Sequence, residues 1–149
     1  MSRVLPLLLS TVAVGGLFGQ AHAQGSVEGN WRLTGTSMPK GVQATTTFQK
    51  GAAKFVLSGL QEGKTVVLTA TGGYTLKGDL LTLRFTDAKV TSKDFTPAQR
   101  KQMESPQMRA NMKRGASQQN TTGRVKFLGR NKFVMTEKNG KTTTFTRVG

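Results

Sequence analysis

Cysteine is absent from this 149-residue chain, and histidine occurs once, at position 22. No disulfide can brace the fold, so packing alone must hold it together. No thiolate nucleophile and no lipid-modified cysteine is available either. Acidic residues are scarce, with 7 Asp and Glu against 22 Lys and Arg, a formal net charge of +15. Long apolar runs are missing as well. After the first two dozen residues nothing approaches the roughly 18 consecutive apolar residues of a spanning helix.

The start of the chain is different. Arg3 supplies a positive start, an apolar run extends from Val4 to Phe18, and Ala21-His22-Ala23 follows. This is the n-region, h-region and small-x-small pattern of a cleavable signal peptide. Pro6, Ser10 and two glycines interrupt the run, which weighs against an uncleaved anchor. Residues 1–23 are therefore expected to be removed on export to the periplasm or the medium. Taking 23 residues from 149 leaves 126, from Gln24 to Gly149, the size of one domain. Losing Arg3 brings its charge to +14, and His22 leaves with the signal. The product then lacks the commonest general base and the usual zinc ligands. Asn120-Thr121-Thr122 fits the N-glycosylation pattern, a triplet common by chance.

What remains alternates strands and turns. Strands are expected near 27–36, 42–50, 53–60, 64–71, 73–77, 80–87, 121–128, 132–138 and 141–148. Turn signals fall at Pro39-Lys40-Gly41, Glu62-Gly63, Gly78-Asp79, Gly129-Arg130-Asn131 and Asn139-Gly140, the last suiting a type I′ turn. Leu81, Leu83 and Phe85 alternate with Thr82, Arg84 and Thr86, and Val125 and Phe127 with Arg124 and Lys126. One face is dry, and the other is Thr, Lys and Arg. Short sequential hairpins with these faces favour an all-β, up-and-down antiparallel barrel of eight or nine strands over a stacked sandwich. Residues 88–119 break the pattern. Thr96-Pro97 and Ser105-Pro106 each read as an N-cap followed by proline at the first helical position, and Gly115 suits the position past a helix end. Two short helices are expected near 97–103 and 106–114, inserted between strands six and seven.

The first strand carries Gly29-Asn30-Trp31 and the last Thr144-Phe145-Thr146-Arg147-Val148. Together they resemble the lipocalin-like, or calycin, barrels. In that family a first-strand tryptophan closes one end of the barrel and a last-strand arginine packs across it. Gly73-Tyr74-Thr75-Leu76, Gly78-Asp79-Leu80-Leu81 and Phe133 ahead of a Lys-Asn-Gly turn are similar to small bacterial members. The resemblance covers about 27–87 and 120–148. Two features depart from it: Ala88 follows Phe85-Thr86-Asp87 where an aromatic is usual, and the helical insert is not standard. The resemblance implies a structural closure between Trp31 and Arg147, with Trp31 otherwise a large core residue. It also implies a lumen for small apolar or amphiphilic ligands.

Enzyme chemistry has little to stand on. Glu62, Asp79, Asp87 and Glu137 fall in or beside turns, and no two have a spacing that makes an acid–base pair. No phosphate-cradling loop joins a strand to a helix, and any serine would lack a histidine partner. No cofactor, metal or catalytic residue is expected. Met103, Met108 and Met112 have soft thioethers, but Arg109, Lys113 and Arg114 surround the last two and would repel Cu(I). Packing on the barrel explains them better.

Two binding readings remain. In one, a ligand occupies the lumen beneath a lid formed by the insert, with Phe95, Met103, Met108 and Met112 as its apolar contacts. The rim cations Arg100 and Arg109 would then favour an anionic amphiphile. In the other, bulky side chains fill the lumen. The protein then acts through outward cations such as Lys54, Lys77, Arg84, Arg124 and Lys126 on anionic polymers or membrane surfaces. Nucleic acid is the weaker partner, because the aromatics that would stack bases alternate into the dry face. A monomer is expected.

Overall fold

A computed structural model describes residues 26–35, 38 and 40–149. The signal segment, residues 1–23, and Pro39 of the first turn lie outside the described residues. Eight antiparallel strands form a closed barrel in simple sequential order: β1 (Gly29–Gly35), β2 (Gln43–Gln49), β3 (Ala52–Gln61), β4 (Lys64–Lys77), β5 (Leu80–Thr91), β6 (Thr121–Phe127), β7 (Lys132–Glu137) and β8 (Thr142–Arg147). β1 closes on β8, with Trp31 opposite Arg147 and Leu33 opposite Phe145. Two helices, α1 (Pro97–Met103) and α2 (Pro106–Ser117), lie between β5 and β6. Among the described residues no helix is long and apolar enough to cross a membrane.

The expected strands 64–71 and 73–77 are one strand, β4. The insert therefore follows strand five, not strand six. Gly72, where the two expected strands part, serves close packing instead. A Cβ on Gly72 would collide with the Arg84 carbonyl oxygen. At this point the register shifts: Gly72 pairs with Phe85, but Thr71 pairs with Asp87. Thr86 is the extra residue of a β-bulge, which resets the inward phase from Phe85 to Ala88. β5 therefore runs on to Thr91, past the expected end at 87.

Both helix starts follow the capping chemistry of their sequences. Thr96 and Gln99 form a reciprocal capping box, with the Gln99 amide donating to Thr96 Oγ1 at 3.2 Å and the Thr96 amide to Gln99 Oε1 at 2.9 Å. The Met108 amide donates to Ser105 Oγ at 3.3 Å. α2 continues through Gly115 to Ser117, so Gly115 is an interior residue and not the helix stop. At Asn139-Gly140 only the glycine is left-handed (φ 89°), which is not a type I′ turn. Both positions are left-handed at Lys50-Gly51 and Glu62-Gly63, the two-residue turns that join β2 to β3 and β3 to β4.

The core is unevenly filled. Trp31, Phe48, Phe133 and Phe145 are fully buried at the end of the barrel where β1 begins and β8 ends. Phe133 stacks on Phe145 at 4.4 Å between centroids, Trp31 meets Phe133 edge-on at 4.6 Å, and Phe48 meets Tyr74 at 4.9 Å. These aromatics plug that end. The insert lies at the other end, where β5 finishes and β6 starts.

Candidate functional site

The plugged end is locked by three residues. Arg147 places its guanidinium 4.2 Å from the centre of the Trp31 ring. It donates from Nη1 to the Glu28 carbonyl at 2.9 Å and from Nε to the Arg130 carbonyl at 3.1 Å. The Trp31 indole donates to the Val27 carbonyl at 2.6 Å. The arginine is half-buried, not fully enclosed as its inward phase suggests, because it covers the end of the barrel instead of entering it. Gly29 completes the unit. Its φ is +124°, and a Cβ there would run into the Arg147 guanidinium. The G-x-W pattern thus has a local cause: the glycine leaves room for the cation that covers the tryptophan.

Toward the other end the barrel holds a cavity of about 570 Å³. Leu33, Phe55, Leu57, Leu68, Leu83 and Phe85 supply much of its apolar wall. α2 runs along the mouth and contributes Asn111, Met112, Gly115 and Ala116, with Gln119 just beyond its end. The insert is pinned at both ends: the Thr65 amide donates to Asp94 Oδ2 at 3.0 Å, and the Phe85 amide to Asn120 Oδ1 at 2.7 Å. Thr46 is buried deep in the wall, and the other polar lining residues lie toward the mouth. Thr121 Oγ1 donates to Glu137 Oε1 at 2.7 Å, and Thr143 stands on the neighbouring strand.

The expected lid residues separate into two groups. Met112 faces the lumen. Phe95, Arg100, Met103 and Arg109 line a second cleft of about 430 Å³ outside the barrel, shared with Lys89 and Val90 of β5. Arg109 also pairs with Asp87 at 3.7 Å, tying α2 to the outer side of the bulge. Met108 is half-buried, one turn before Met112, and borders neither cavity. The rim cations are therefore not at the lumen mouth. The sequence reading missed Glu137 as a lumen residue. Its signal was present in the alternation of Phe133, Met135 and Glu137, but the adjacent turn made the carboxylate look solvated. Among the described residues no cluster of three or more His, Cys, Asp or Glu is placed to hold a metal ion.

No protein-family model matches the chain, and no curated protein matches it. Among solved structures it is similar to an uncharacterized protein from Bacteroides eggerthii DSM 20697, solved by crystallography at 2.60 Å. The two are 18% identical, with 83% of this chain and 100% of the other covered, at a TM-score of 0.45.

Proposed function

We propose that this chain is an exported, non-enzymatic, lipocalin-like binding protein that holds a small apolar or amphiphilic molecule in its lumen. The observation that carries this reading is the cavity of about 570 Å³, walled by apolar side chains and bordered by a few polar ones at its mouth. Ligand sites are commonly built that way, including the mouths of small barrels. The Trp31–Arg147 contact supports the family reading, since both residues were singled out by resemblance and they meet at the plugged end. Export rests on the signal pattern of residues 1–23. The non-enzymatic reading rests on the loss of the only histidine with that segment and on the absence of cysteine. A closed barrel has no free strand edge to recruit another copy, which suits a monomer.

A second, weaker activity has its own support. Lys54, Lys77, Arg84, Arg124 and Lys126 are all exposed on the outer face. They favour loose contact with anionic polymers or a membrane surface, and with nucleic acid less. The lumen reading is tested by native mass spectrometry of protein purified from its own host without organic solvent. A species heavier than the polypeptide by a discrete small-molecule mass is expected. Polypeptide mass alone, with added amphiphiles also failing to bind, contradicts it.

A further inference from the structure

We propose that the lumen selects an amphiphile with a cationic or strongly donating head group, such as a primary amine, through Glu137. The inference rests on the lumen reading and reverses the anionic preference suggested by the sequence. Glu137 is the only charged residue among the described residues that line the cavity. It ends the inward series of β7, after Phe133 and Met135, both buried. Its backbone is held on both sides of the turn: its amide donates to the Lys141 carbonyl at 2.8 Å, and its carbonyl accepts from the Gly140 amide at 2.9 Å. The Thr121 hydroxyl, donating to Oε1, places the carboxylate at the mouth.

Among the described residues the carboxylate has one hydrogen-bond partner. Thr121 Oγ1 donates to Oε1, which leaves Oε2 for an occupant of the cavity. The ion pairs among the described residues are Arg109 with Asp87 and Arg124 with Asp79, so neither involves Glu137. In a chain with 22 Lys and Arg against 7 Asp and Glu, a carboxylate at the mouth of an apolar cavity without a cation goes against the overall balance. Arg100 and Arg109, which would receive an acidic head group, open onto the outer cleft instead. A fatty carboxylate in the lumen would bring a second negative charge beside Glu137, and like charges repel. An ammonium there would form a charge-assisted hydrogen bond, roughly twice as strong as a neutral one. Asn111 and Gln119 add carbonyl acceptors at the same rim.

The test compares dodecylamine, dodecanol and dodecanoate as competitors for a neutral fluorescent probe in the lumen, all below micellar concentrations. The expected order is amine, then alcohol, then carboxylate, with the amine about tenfold tighter than the alcohol. The order runs against the protein's overall positive charge, so non-specific attraction cannot produce it. Glu137→Gln should remove the advantage of the amine over dodecanol. Dodecanoate binding as tightly as the amine while dodecanol binds would overturn the head-group inference and leave the lumen reading standing. An amine advantage that survives in Glu137→Gln would overturn it too. If none of the three binds, the lumen reading itself falls, and this inference with it. Should Glu137→Gln fail to fold, the wild-type order of amine and carboxylate decides alone.

Discussion

Gly29, Trp31 and Arg147 owe their positions to one another. The indole is fully buried and gives its single hydrogen bond to Val27, and the guanidinium covers its face while bonding two carbonyls from other segments. Truncating Trp31 to alanine removes the largest side chain of the aromatic plug. Chemical denaturation should show a loss of about 3–5 kcal/mol. Arg147→Leu keeps most of the volume but removes the cation–π contact and two donors, for a smaller loss of about 1–2 kcal/mol. A wild-type melting temperature for Arg147→Leu would mean that the guanidinium does no more than decorate the surface. This pair was legible through the resemblance that the G-x-W and the last-strand arginine carry; alternation alone gave only their inward phase. The glycine's role was not, since it depends on where an arginine 118 positions later places its nitrogen.

At the scale of elements, local chemistry and distant packing divide the outcome. The starts of α1 and α2 follow from Thr96-Pro97 and Ser105-Pro106, because caps act within one turn. The end of α2 does not follow from Gly115. Tertiary contact with β5 and the mouth carries the helix to Ser117, with Ala116 buried beneath it. In the same way Gly72 falls between two expected strands because glycine is a weak β former. The true cause lies on the facing strand, at the bulge. Met108 and Met112 share a helix face, yet only Met112 reaches the lumen. Residues 106–117 should therefore show amide protection well above random coil, and Met112→Asp should weaken retention of an apolar probe about tenfold or more. Met108→Asp should leave it nearly unchanged. Equal effects from both substitutions, or random-coil exchange across α2, would show that the helix does not border the site as described.

For the whole molecule, the excess of positive charge and the apolar lumen belong to different surfaces. Strand cations such as Lys54, Lys77, Arg84, Arg124 and Lys126 stay exposed, while the described lumen lining carries a single carboxylate. Contact with anionic polymers should therefore be weak and fall steeply as salt rises, since screening acts over about 10 Å at 0.1 M. Lumen binding of a neutral probe should not change with salt. An affinity for anionic polymer that is flat across ionic strength would contradict the electrostatic origin. The barrel was legible from period-2 alternation and turn spacing, and its strand count was within one. Whether the lumen is open was not. That depends on how residues of low volume, such as Ala70, Ala88 and Gly115, come together from three elements. The fully buried aromatics gather at one end, and the cavity lies toward the other.

Gly115 offers the most direct test. It lines the cavity from within α2, and a Cβ built on it meets nothing within 4 Å. Gly115→Phe should fill the mouth without backbone strain, and it replaces a poor helix former with a better one. Titration of a neutral, environment-sensitive naphthylamine probe into wild type and Gly115→Phe is the measurement, with thermal melts alongside. Wild type should give a saturable, blue-shifted signal. Gly115→Phe should lose it while melting at or above the wild-type temperature. A signal of equal strength in a folded Gly115→Phe protein would place binding elsewhere and contradict a ligand site in the lumen.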